Sequence, residues 1–126
     1  MPGQGRSFRE RARVRRPRRF RTARVLERGE PAGVLEETEA GYRFTYDRDY
    51  LSDPLAPSIS LTLPKRAAPY ESPYLFSFFQ GLLAEGALKD LQCRILKIDE
   101  EDHFGRLIRT AGGDTIGSVT VVAEES

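Results

Sequence analysis

Residues 22–50 read TARVLERGEPAGVLEETEAGYRFTYDRDY, and this stretch decides the fold. Val25, then Val34 and Leu35, then Tyr42, Phe44 and Tyr46 lie in short runs separated by glycine-containing turns. Short runs of β-branched and aromatic residues punctuated in this way predict a β-meander. In the third run the three rings alternate with Arg43 and Thr45, which puts the rings on one face of a strand and the polar residues on the other. One face of the sheet is therefore expected to be buried.

Outward from the meander, residues 47–72 hold four prolines, Pro54, Pro57, Pro64 and Pro69, around the alternating ISLTL of Ile59 to Leu63. This predicts a loop with a short edge strand. Next comes SPYLFSFFQGLLAEG, residues 72–86, where Ser72 can cap a helix and Pro73 can take its first position. On a helical projection its large apolar residues cover an arc of roughly 200°, twice the stripe that a helix with one neighbour needs. Leu88, Leu91 and Ile95 continue at helical spacing, and a third helical segment follows the acids Asp99 to Asp102 and stops at Gly112 and Gly113. Ser118 to Ala123 reads as a strand that returns to the sheet. The expected architecture is α+β: a small antiparallel meander packed with about three helices and completed by the final strand.

At 126 residues the chain has room for one domain. Its net charge of +1 conceals a division. Residues 1–24 carry ten Arg against the single Glu10, a net of +9, and residues 25–126 carry ten Lys or Arg against eighteen Asp or Glu, a net of −8. The organisation expected is a disordered Arg-rich tail over 1–22, a domain over 23–123 and a short tail over 124–126. The basic tail has no apolar core of the signal-peptide kind, no run approaches the roughly 20 apolar residues that cross a bilayer, and Cys93 has no partner for an internal disulfide. A cytoplasmic protein without a membrane partner is expected.

The residues of catalysis are sparse. Cys93 and His103 are the only thiol and imidazole, too few for the usual four ligands of a zinc site. The run Asp99 to Asp102 reads as the solvated first turn of a helix, and GGDTIGS, residues 112–118, lacks the lysine of a phosphate-binding loop. No kinase signature is present. Neither enzymatic activity nor a cofactor or metal is expected.

Several local patterns occur together and in order: Ala32 to Leu35, Phe44 to Tyr46, Tyr50 with Leu51, Ser58 to Pro64, Phe78 to Gly86, and Gly112 to Val119. Together they resemble the N-terminal subdomain of the HipA family of toxin kinases, from about Ala23 to Val122, with Ala84 standing where the family usually has proline. A full-length HipA would continue into its kinase domain; the resemblance covers only the part without catalytic residues. In that family the kinase phosphorylates a serine on a translation component and is restrained with a DNA-binding antitoxin. Free-standing versions of this subdomain occur in tripartite toxin–antitoxin modules. The resemblance therefore implies a small protein that binds a separately encoded HipA-like kinase and neutralises it, with a DNA-binding subunit as a further partner of the complex.

On that reading Tyr74, Phe78 and Leu82 are candidate kinase contacts, and the loop Lys65 to Tyr70 offers a second set: Arg66, Tyr70 and the neighbouring surface ring Tyr50. Arg15, Arg16, Arg18 and Arg19 are candidates for contact with nucleic acid, whose affinity would fall steeply with salt. Two alternatives stand beside the antitoxin: a subunit that completes and supports a split kinase, and a nucleic-acid-binding accessory protein acting through its tail.

Overall fold

A computed structural model describes residues 20–111 and 118–124. The meander forms as its pattern predicts, with β1 (Thr22–Glu27), β2 (Glu30–Thr38) and β3 (Gly41–Tyr46) joined by tight turns. Arg28 and Gly29 both have positive φ, 52° and 83°, as a two-residue hairpin turn matched to strand twist requires. Two further strands extend the sheet, β4 (Tyr70–Ser72) beside β3 and β5 (Val119–Ala123) beside β1, in the order β4-β3-β2-β1-β5 with every pair antiparallel.

Four helices accompany the sheet among the described residues: α1 (Arg48–Ser52), α2 (Ser77–Gln80), α3 (Gly86–Leu96) and α4 (His103–Thr110). The architecture is α+β. Side chains alternate as the strand period demands: Ala23 and Val25 from β1, Leu35 from β2, Phe44 and Tyr46 from β3, and Val119 and Val121 from β5 are all buried. Phe79 of α2 and Phe104 and Leu107 of α4 complete this core. Tyr42 stacks on Phe104 and Phe44 packs against Phe79, with centroid separations of 6.3 and 5.8 Å. The three rings predicted on one face thus all reach the core.

Two segments depart from expectation. Residues 72–86 do not form one helix. Tyr70–Ser72 is captured as an edge strand against Tyr42, Arg43 and Phe44, and Ser72 Oγ accepts from Tyr74 N at 3.1 Å in a turn, not at a helix cap. Gly41 permits the close passage, because a Cβ there would lie 2.2 Å from Ser72 O. Only Ser77–Gln80 is helical before the chain turns into α3. The apolar arc was too wide for a helix with one neighbour; a winding path instead buries Leu75 and Phe79 and lays Phe76, Phe78, Leu82 and Leu83 against the same core. The second departure is Ile59–Leu63, which is a tight turn with one bridge between Ser60 and Leu63, and the edge strand lies at Tyr70–Ser72. Pro57 and Pro64 bracket the turn and side-chain hydroxyls satisfy its backbone, so no ladder is needed.

Arg21 fastens the start of β1 to α4. Its guanidinium takes Glu37 at 2.9 Å and Asp102 at 2.7 Å and lies 5.2 Å from the centroid of the Phe104 ring. Asp102 is also the N-cap of α4, accepting from Gly105 N at 3.0 Å. This double use holds the Asp102 carboxyl below the usual carboxylate range, first through the Arg21 hydrogen bond and then through the Gly105 amide against the opposing pull of burial. The buried Arg106 donates to Ala84 O at 2.7 Å, tying α4 to the turn before α3.

Candidate interaction surface

The long connection between α1 and β4 is held by tyrosines. Tyr46, on the buried face of β3, donates its hydroxyl to Leu63 O and accepts from Ile59 N at 3.0 Å. Tyr50 donates to Pro57 O and Tyr70 to Pro64 O. Lys65 adds a cationic brace, its Nζ donating to Asp53 O and Ala56 O, each at 2.8 Å, above the Tyr50 ring. Burial pushes the Tyr50 phenol up to about 12 and raises that of Tyr46. Tyr50 was expected as a surface ring, and this is corrected: it is 4% exposed, because the one-turn helix α1 turns it inward to stack on Tyr46 with 6.0 Å between centroids.

Arg66 and Tyr70 do meet. The Arg66 guanidinium lies 3.6 Å from the centroid of the half-buried Tyr70 ring while donating to Ala68 O and Pro69 O at 3.1 and 2.9 Å. This stacked pair is a flat, pre-ordered patch of the kind that anchors protein contacts.

Of the three residues expected from the apolar segment, Tyr74 is 75% exposed and fully presented. Phe78 and Leu82 are half-buried, Phe78 against Phe79 at 5.2 Å and both on the main core, so they share their area between fold and surface. Helix α3 supplies what sequence reasoning missed. Leu88, Leu91 and Ile95, spaced i, i+3 and i+7, form one stripe, and they are 54, 48 and 66% exposed while Cys93 faces inward. The spacing is visible in the sequence; that the stripe points away from the core is not.

The candidate nucleic-acid residues Arg15, Arg16, Arg18 and Arg19 lie outside the described residues, as does most of the 112–118 motif, whose Ser118 donates to Glu27 Oε1 at 2.9 Å. A cleft of about 610 Å³ is lined by Arg24, Glu30, Pro31, Asp47, Arg48 and Tyr50 among others, and Arg24 spans it to Asp47 at 3.3 Å. Among the described residues no group of three or more His, Cys, Asp or Glu is placed to hold a metal ion, and no helix is long and apolar enough to cross a membrane.

Comparison with known proteins agrees with this architecture. An uncharacterised protein of Haemophilus influenzae is 35% identical over 105 residues, covering 83% of this chain and 94% of its own length. The candidate kinase Y4mE of Sinorhizobium fredii is 32% identical over 82 residues, which are 65% of this chain and 19% of that protein. The solved structure of the N-terminal domain of HipA toxin superposes with a TM-score of 0.63 at 32% identity, over 84% of this chain and 94% of that one. The HipA N-terminal domain matches residues 23–122, from within β1 to within β5, and the chain belongs to that family.

Proposed function

We propose that this chain binds a separately encoded HipA-like kinase and neutralises it, as the antitoxin component of a toxin–antitoxin module. The observation that carries the reading is the reversed stripe of α3: three large apolar residues on one face of one helix, each about half exposed or more. A helix normally turns such a stripe to its own core, and contiguous exposed apolar surface marks interaction sites. Tyr74 and the Arg66–Tyr70 stack add aromatic and guanidinium anchors, the residue types enriched at interface hot spots. A kinase partner is supported by Y4mE, a relative named as a kinase, of which the matched region is only 19%. Residues 25–126 carry a net −8, which favours association with a basic surface and makes its rate sensitive to salt.

The test is co-expression with a HipA-like kinase from the same genome, purification through a tag on the kinase, and assay of its phosphorylation and of cell growth. Co-purification with suppressed phosphorylation and restored growth is expected. A complex with raised kinase activity would replace neutralisation by completion of a split kinase, and absence of a complex would refute the reading. The double variant Leu88→Glu, Ile95→Glu is expected to keep the fold and lose the complex.

A further inference from the structure

The connection from Asp53 to Pro69 is longer than most loops without secondary structure, and such loops are commonly functional. Two features set its first part apart. In a chain that is 31% charged, the eleven residues from Pro54 to Pro64 carry no charge at all. They also hold the two most exposed large apolar side chains among the described residues, Leu55 at 90% and Leu61 at 99%.

Both leucines ride on turns fixed by side-chain hydrogen bonds. Leu55 lies two residues after Asp53, whose Oδ1 accepts from Leu55 N at 2.9 Å while its carbonyl accepts from Ala56 N at 3.1 Å. Leu61 follows Ser60, whose Oγ accepts from Thr62 N and whose carbonyl accepts from Leu63 N, each at 3.1 Å. Either side of Leu61, Ile59 and Leu63 are 6 and 3% exposed and plug the turn into the core beneath Tyr46. The Lys65 ammonium closes on the carbonyls of Asp53 and Ala56, so its charge is spent inside the loop.

Turn positions favour Gly, Asn, Asp, Ser or Pro for backbone reasons that leucine does not serve. The Leu55 and Leu61 side chains stand outside the core, yet the turns that carry them are fixed by the surrounding bonds. Rigidity of this kind removes the ordering cost that a flexible loop meets on binding. Absence of charge matches the centre of an interface, where charged residues are depleted.

We propose that the 53–65 loop is a pre-set apolar anchor whose Leu61, assisted by Leu55, inserts into an uncharged apolar socket on the partner kinase. The inference rests on the kinase-binding reading and adds to it the element that sets affinity. It is tested by measuring binding of the purified chain to a purified HipA-like kinase from the same genome, for the wild type and for Leu61→Ala, Leu61→Asp and Tyr46→Phe. Both Leu61 variants are expected to unfold in urea as the wild type does and to bind at least tenfold more weakly, mostly through faster dissociation. Tyr46→Phe keeps Leu61 but loosens its turn, and is expected to weaken binding by a smaller factor. Leu61→Asp binding within twofold of the wild type overturns the anchor while leaving the kinase reading intact. Failure of the wild type to bind overturns the kinase reading and the anchor with it. A wild-type dimer in sedimentation that Leu61→Asp dissolves, with kinase affinity unchanged, overturns the kinase as occupant and assigns the socket to a second copy of the chain.

Discussion

Removing one oxygen from Tyr46 separates packing from hydrogen bonding at the base of the loop. In Tyr46→Phe the ring keeps its edge contact with Phe44 at 4.9 Å and its stack on Tyr50 at 6.0 Å, so no cavity opens. What is lost is the hydroxyl that serves Ile59 N and Leu63 O together, both on residues that are at most 6% exposed. An unsatisfied buried polar group costs about 1–3 kcal/mol. Two such groups, offset by the hydroxyl no longer needing to be desolvated, give a loss of about 2 kcal/mol, or a fall in Tm of roughly 10 °C for a domain of this size. Urea unfolding followed by circular dichroism gives the first quantity, and amide hydrogen exchange gives its location, with the Ile59 amide exchanging faster while the amides of β1 and β2 follow only the global change. Tyr70→Phe is the control, since its hydroxyl bonds an exposed Pro64 carbonyl that water can serve instead; its cost should stay near ~0.5 kcal/mol. A loss below about 0.5 kcal/mol in Tyr46→Phe, with Ile59 exchange unchanged, would refute the idea that this hydroxyl locks the turn.

Other perturbations test the frame around it. Gly33→Ala should cost about 2 kcal/mol or more in urea unfolding, because the new Cβ would lie 2.4 Å from Thr45 O and 2.8 Å from the Phe44 ring, against backbone that cannot swing aside; a wild-type midpoint would show that β2 and β3 separate easily. The depressed Asp102 carboxyl contributes stability that is full above the ordinary carboxylate value of about 3.9 and is lost as pH falls through and below it. Asp102→Asn should therefore be less stable at pH 7 and show a flatter acid limb, and Arg21→Met should mimic it; an unchanged limb in both would discount the bridge. Tyr50, with its phenol near 12, keeps its proton in the folded state after an unfolded tyrosine, near 10, has lost its own. Stability should decline between about pH 10 and 12, and Tyr50→Phe should remove part of that decline in alkaline unfolding curves.

The meander, the buried ring face of Tyr42, Phe44 and Tyr46 and the returning strand were legible in the sequence because period-two alternation and glycine turns are local signals. The segment from Ser72 to Gly86 was misread for the opposite reason. Its capping serine, its proline and its apolar density all favour a helix, yet pairing of Tyr70–Ser72 with β3 and burial of Phe79 depend on residues some thirty positions earlier. Tyr50 was placed outside because α1 is one turn long and carries no periodic signal. That Tyr74 is exposed and that Arg66 lies by Tyr70 could be expected from the sequence, whereas the exposure of Leu61 and of the α3 stripe required knowing which way each turn faces.

The sheet closes where the two ends of the domain meet, Val25 paired with Val121 and Glu27 with Val119. Bringing segments this far apart together costs roughly 4 kcal/mol of loop entropy before any contact offsets it. A ribosome making this chain releases β1, β2 and β3 well before β5 exists, so the hydrogen-bonding edge of β1 stays open through most of synthesis. Folding should accordingly be slow for the domain's size, with the edge of β1 as the surface a chaperone meets until β5 arrives.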